Sequence, residues 1–146
     1  MTLFSIENEC KVTRISNAVV AGTTTIDCAS VDMQGFESVT FIVALGAITA
    51  TGVPALTVEQ SADDTTFNAL VAGVTVTYTA ADDNKLAIAE VVHPIDRYVR
   101  VSVTRATANA VIDGVIAIQS GAEESDTTHD ATTVVGSSYN VGPAEA

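Results

Sequence analysis

Short runs of alternating or continuously apolar residues, separated by turn residues, make up most of the chain. The clearest alternation covers 98–104, where Val99, Val101 and Val103 have one parity and mainly polar residues have the other. A period of two is typical of a β-strand with one face in the core and the other in water or against a partner. We therefore predict a strand over 98–104.

Seven further runs have the length and composition of strands. The run 37–45 is nearly continuous and apolar, which predicts a strand near the centre of a sheet, and a loop of small residues follows at 46–54. The run 86–92 ends before Pro94, because proline lacks the ladder donor. Asp113-Gly114 interrupts the last run as a bulge or tight bend. The other predicted strands are 23–29, 55–61, 111–119 and a hairpin of 67–71 and 74–79 with its turn at Gly73.

These strands predict an all-β fold, a jelly roll or a similar antiparallel β-sandwich of about eight strands. The composition agrees, because Ala, Val and Thr supply 22, 21 and 20 of the 146 residues, and no amphipathic helical stretch competes. With 47% hydrophobic and 16% charged residues, the chain is too apolar to be mainly disordered. Its length fits a single domain.

Changes in composition divide the chain into three parts. Residues 1–22 are read as an N-terminal arm that offers one edge strand, and residues 23–120 as the β-sandwich domain. Residues 121–146 form an acidic C-terminal tail or arm with five acids and no Lys or Arg. Each end has too little apolar surface to order alone. We expect the arms to become ordered against neighbouring subunits, with 132–135 pairing as a strand or docking on a neighbour.

The strongly acidic charge argues against two classes of partner. The formal net charge is −12 and the sequence pI is about 4.1. Phosphate backbones and anionic membranes attract clustered Lys and Arg, so we expect no nucleic-acid and no membrane binding. No apolar run approaches the roughly 20 residues of a membrane-spanning helix. The basic residues are Lys11, Arg14, Lys85, Arg97, Arg100 and Arg105.

Localisation and redox state follow from the N-terminus and the cysteines. The first residues lack a basic region followed by an apolar one, so no signal peptide is predicted. Without export, Cys10 and Cys28 are expected to be thiols that behave as small buried hydrophobic residues.

The sequence contains no combination of residues that predicts catalysis. His93 and His129 lie far from ligand spacing with a Cys or another His. The pairs Asp63-Asp64 and Asp82-Asp83 lack the spacing of a calcium loop, so capping of β-turns is favoured over calcium binding. No nucleophile elbow or phosphate-binding loop is present. We predict no catalytic, cofactor or metal site, and no enzyme activity.

One charged and aromatic cluster, Arg97, Tyr98 and Arg100, is the candidate interface. Tyr98 and Arg100 share a strand face, and Tyr and Arg are enriched in protein interfaces. A purely structural alternative pairs Arg97 with Asp96 or Glu90 and leaves Arg100 as a solvated strand residue. Both interpretations stay open from the sequence.

Three segments carry a family resemblance: Gly35–Phe41 (Gly-Phe-Glu-Ser-Val-Thr-Phe), Val58–Asp64 (Val-Glu-Gln-Ser-Ala-Asp-Asp) and Ile95–Val101 (Ile-Asp-Arg-Tyr-Val-Arg-Val). In this order and spacing, the chain resembles the cement or decoration proteins of tailed bacteriophages over roughly 27–118. The resemblance implies a homotrimer that binds the major capsid protein on the outside of a phage head and stabilises the shell. It also implies a virion location after assembly in the bacterial cytoplasm, without cofactor or catalysis.

A second function from another class competes with the structural one. Related sandwiches serve as carbohydrate- or receptor-binding modules of phage tails and fibres, and β-sandwiches often carry sugar sites. Sugar sites usually stack rings on exposed aromatic side chains. The chain has no Trp, three Tyr and four Phe, which favours the structural role.

Overall fold

The computed structural model of the chain describes residues 4–51, 55–70, 75–124 and 127–139. Strands dominate, with one short helix and one turn of 3-10 helix. In chain order the elements are α1 (Ile6–Glu9), β1 (Lys11–Ser16), β2 (Val19–Gly22), β3 (Ile26–Asp27), β4 (Val31–Asp32), β5 (Ser38–Ile48), β6 (Ala55–Ser61), β7 (Asn68–Ala69), β8 (Thr75–Thr77), the 3-10 turn (Ala80–Asp82), β9 (Leu86–Val92), β10 (Tyr98–Thr104) and β11 (Ala110–Ser120).

The strands form two antiparallel sheets. Sheet A has the order β1-β11-β5-β9, with β2 also pairing with β11. Sheet B has the order β3-β10-β6-β7, with β4 pairing with β10 and β8 with β6. The predicted all-β sandwich is confirmed, although the described residues form eleven strands because several are only two to four residues long.

The core lies between the two sheets. Alternating valines of β10 and the inward side chains of β5, β6 and β11 are fully buried there, because each strand turns one parity inward. Burial of this apolar surface is the main favourable contribution to folding. The largest fully buried apolar side chains are Phe41, Leu56, Ile112, Val39, Val43, Val58, Val99, Val101, Val103 and Val115.

Several strand predictions are confirmed in detail. The strands at 55–61, 86–92 and 98–104 have the predicted bounds. β5 lies inside sheet A between β11 and β9, as its apolar run indicates. The register of β11 against β5 shifts between Ala110 and Ile112 and again between Ile112 and Gly114. The second shift confirms the predicted bulge at Asp113-Gly114.

Two local predictions are wrong. β5 continues to Ile48, through the first residues of the predicted loop at 46–54. Gly46 fits there because a Cβ at this position would lie 2.8 Å from Val111 Cγ1. The hairpin of 67–71 and 74–79 is not formed either, because β7 and β8 both pair antiparallel with β6 and so run in the same direction. Its turn at 71–74, and Gly52–Pro54, lie outside the described residues.

The N-terminal arm forms strands β1 and β2 of sheet A in its own chain, where we had expected it to become ordered against neighbouring subunits. β1 and β2 pair with β11, and Ile15 of β1 is buried in the core. The division at residues 22 and 120 stays a prediction. Residues 125, 126 and 140–146 of the acidic tail lie outside the described part.

Candidate interaction surfaces

Arg97 lies just before β10 and forms a two-point ion pair. Its Nε donates to Asp32 Oδ1 at 2.8 Å and its Nη2 to Asp32 Oδ2 at 2.6 Å. This guanidinium lowers the pKa of Asp32, and the carboxylate in turn raises the pKa of Arg97. The pairing of Arg97 with Asp96 or Glu90 that the structural alternative proposes is wrong, because β4 brings Asp32 beside β10.

Arg100 is held on the outer face of sheet B by two acids and an aromatic ring. Its Nε donates to Glu59 Oε2 at 2.8 Å, and its Nη2 lies 3.6 Å from Asp27 Oδ2. The guanidinium carbon also stands 4.0 Å from the centre of the Phe67 ring. Arg100 is therefore a paired, half-covered residue and not the solvated one of the structural alternative.

Tyr98 completes the predicted interface cluster. It is half-buried at the start of β10, and the Arg97 guanidinium lies 5.3 Å from its ring centre. The three candidates therefore share the outer face of sheet B and its margin, with the arginines already fixed in position. A contact with a partner at this face stays a prediction.

The outer face of sheet A carries an apolar strip that lies outside the predicted interface cluster. On β9 the side chains of Leu86, Ile88 and Val92 are 61%, 55% and 58% exposed, while the alanines between them face the core. The ladder places Ile42 beside Ile88 and Ile116 beside Ile42. The apolar strip comprises Val12, Ile42, Ala44, Leu86, Ile88, Val92, Ile116 and Ile118.

The signal for this strip is present in the sequence. In 86–92 both parities are apolar, and the larger aliphatic side chains share one of them. A strand at the margin of a two-layer sandwich needs only one apolar face, so the second indicates a contact surface. Periodicity alone does not say which face is inside.

The free edge of β1 is covered by the chain's own tail. The Val12 backbone N–H donates to His129 Nδ1 at 3.1 Å, and that of Arg14 to Thr133 Oγ1 at 3.1 Å. Thr127 is a donor instead: its backbone N–H and its hydroxyl both donate to the carbonyl oxygen of Asn8 in α1. The described tail thus lies against its own subunit, where we had expected contacts with neighbours.

One aspartate of each of the two turns forms local hydrogen bonds, and the cysteine thiols are buried. Asp63 Oδ1 accepts from the backbone N–H groups of Thr65 and Thr66, and Asp82 takes part in a capping box with Thr79. The predicted capping role is confirmed for Asp63 and Asp82, whereas Asp64 and Asp83 accept from the Ser30 hydroxyl and the Ile48 backbone N–H, which are distant in sequence. Burial raises the pKa of Cys28 to about 12, so this thiol is not ionised at neutral pH.

The described residues contain neither a metal-binding cluster nor a membrane-spanning helix. Within 4–51, 55–70, 75–124 and 127–139, no three His, Cys, Asp or Glu side chains are grouped closely enough to hold a metal ion. In the same ranges, no helix has the length and hydropathy to span a bilayer.

Comparison with known proteins identifies the fold and no family. No protein-family model and no curated protein matches the chain. Among solved structures, the PBSX exported protein XepA is similar, with a TM-score of 0.55 and 14% identity over 95% of this chain. The match covers 46% of XepA, so this chain spans about half of that protein. At this identity the likeness shows the fold alone.

Two further solved structures are similar at TM-scores below 0.5. A protein of Bacillus endospore appendages, which form disulfide-linked pili, has a TM-score of 0.48 and 12% identity, covering 82% of this chain and 96% of its own. The C-terminal family 22 carbohydrate-binding module of Clostridium thermocellum Xyn10B has a TM-score of 0.40 and 12% identity, covering 78% and 87%. Neither carries weight for function.

Proposed function

We propose that this chain is a structural protein of a phage particle, of the decoration or cement class. It would bind the major capsid protein on the outside of the head and stabilise the shell after assembly in the bacterial cytoplasm. The observation that carries the proposal is the presence of two surfaces of interface character on the two outer faces of one sandwich. A module with two such faces can join two neighbours, which is what an assembly component requires.

The resemblance of three sequence segments to decoration proteins supports the phage assignment. A shared sandwich with XepA, a protein of the phage PBSX, is compatible with it. We assign the contact with the capsid shell to the outer face of sheet B. Its ordered Arg97, Tyr98 and Arg100 need little further ordering on binding, and repetition over many copies raises the avidity of weak contacts.

The sugar-binding alternative requires an exposed aromatic platform. Phe41 and Tyr78 are buried, and Phe67 lies under Arg100. The exposed Phe4 and Tyr139 belong to the terminal segments. A glycan array provides the direct comparison, and saturable binding to one sugar class would replace the structural proposal.

Binding to heads that lack this protein tests the proposal. Deleting its gene from the encoding phage should give heads that release their DNA at a lower temperature. Purified protein added to these heads should sediment with them and restore the temperature of DNA release. Arg97→Ala should bind at least about tenfold more weakly, as expected for a central interface residue. Lys85→Ala is the matched control, because Lys85 is also an exposed cation with one acidic partner. Wild-type protein that stays in the supernatant would refute the decoration role.

A further inference from the structure

The apolar strip of sheet A has a cation at one edge and an anion at the other. The ladder sets Arg14 of β1 in a row with Ile116, Ile42 and Ile88. The next row ends at Glu90 of β9. Neither Arg14 nor Glu90 forms an ion pair within the described part of the chain, so both charges are available to a partner.

We propose that a second copy of this chain covers the apolar strip, face to face, about a two-fold axis parallel to the strands. Rotation about such an axis exchanges the two edges of the face. β1 of one copy then lies over β9 of the other, and the aliphatic side chains of both strips meet in the middle. The result is a four-layer assembly in which the two A sheets pack as aligned sheets do, about 10 Å apart.

Charge complementarity selects this arrangement. The rotation brings Arg14 of each copy toward Glu90 of the other, which forms two equivalent ion pairs at the margins of the strip. Arg14 and Glu90 stand one row apart, roughly 7 Å along the strands. The extended Arg and Glu side chains can span that offset. An isologous contact of this kind closes on itself as a dimer.

The size of the strip predicts a weak dimer. Four strands about 4.8 Å apart and four rows about 7 Å apart cover on the order of 500 Å² per copy. Stable interfaces bury about 800 Å² per partner. The net charge of −12 on each copy also opposes association. Dimerisation should therefore depend on protein concentration in the range of tens to hundreds of micromolar.

The described part of the tail, residues 121–124 and 127–139, leaves the greater part of the strip uncovered. Thr133 and Val134 reach its β1 end, beside Val12 and Arg14. The most exposed aliphatic residues are on β9, at the opposite edge. The β9 edge and the centre of the sheet are therefore open to a partner, and the tail lies only at the margin of the proposed contact.

Charge reversal provides the test, with mass measured by light scattering and sedimentation from 10 to 200 µM in 0.15 M NaCl. Wild type should shift from monomer to dimer. Arg14→Glu and Glu90→Arg should each weaken association about tenfold or more, because each homodimer then opposes like charges twice. An equimolar mixture of the two variants should restore it, because the mixed dimer contains two opposite-charge pairs.

Two isoleucine-to-serine substitutions test whether the apolar side chains of the strip contribute to the dimer. Ile88→Ser should weaken dimerisation, whereas Ile95→Ser should not, because Ile95 is 91% exposed in the loop after β9 and lies off the strip. Thermal midpoints show whether each variant is folded.

Three results would overturn the inference: a wild-type monomer at 200 µM, a trimer as the resemblance implies, or a mixture that associates no better than its components. If Ile88→Ser abolishes head binding while wild type stays monomeric, the strip binds the shell and not a second copy. The decoration role can thus survive the loss of this dimer.

Discussion

At the scale of single residues, Arg105 is a buried cation that is held by oxygen acceptors and by no carboxylate in the described residues. It is 3% exposed. Its Nε donates to Thr24 O, and its Nη1 donates to Val20 O and Ala110 O, at 2.8, 2.8 and 2.9 Å. These bonds connect β2 and the segment between β2 and β3 to the start of β11, through a side chain that directly follows β10.

Loss of the hydrogen-bond donors of Arg105 should destabilise the folded chain. Arg105→Met should lower the free energy of unfolding by roughly 3 kcal/mol, because several buried carbonyls lose their partner. Arg97→Met should cost less than about 1 kcal/mol, because its ion pair with Asp32 is half-exposed. Urea unfolding of both variants measures the difference. Equal losses would show that the buried network contributes no more than a surface pair.

At the scale of elements, the tail protects an edge strand. Unpaired strand edges invite pairing with other chains, and proteins commonly cover them. Here His129 and Thr133 accept two of the β1 backbone N–H groups. The contact joins residues more than a hundred positions apart, so local sequence could not predict it.

Removing the tail should expose that edge. A chain ending at Glu124 should keep its β-type circular dichroism spectrum, melt a few degrees lower, and aggregate faster on warming. A chain ending at Val134, which keeps the contacts with Val12 and Arg14, is the control. Identical melting and aggregation of the two shortened chains would show that the tail does not protect β1.

At the scale of the whole molecule, four aspartates with lowered pKa values set the response to pH. The pKa values of Asp32, Asp63, Asp82 and Asp130 are lowered. The causes are the Arg97 side chain for Asp32 and hydrogen bonds within turns for the other three. Each carboxyl therefore binds its proton less readily in the folded chain than in the unfolded one.

Stability should decrease in acid. The contribution of these aspartates is complete above the ordinary Asp pKa of about 3.9 and is lost as the pH falls through their lower folded values. Melting in 0.15 M NaCl, which screens the net charge, should show a falling midpoint from about pH 5 to 2. Asp63→Asn should melt below wild type at pH 7, and the two should converge near pH 2. A midpoint that rises on acidification would contradict this.

Much of the fold could be predicted from local pattern. Strand bounds at 55–61, 86–92 and 98–104, the central position of β5 and the bulge at Asp113-Gly114 depend on alternation, on Pro94 and on glycine. These are properties of a few consecutive residues. The hairpin at 67–79 was wrong because turn residues do not specify which strand a segment pairs with.

The candidate surfaces also combine features that the sequence predicts with features that depend on the tertiary structure. The sequence by itself determined an acidic, all-β chain with a Tyr and Arg cluster on one strand face. Only the tertiary structure decided the partners of Arg97 and Arg100, because strand order brings Asp32, Glu59 and Asp27 beside them. It also decided that the alanines of β9 face the core and its larger aliphatic residues face outward. Both parities of that strand are apolar, so the direction depends on what packs against it.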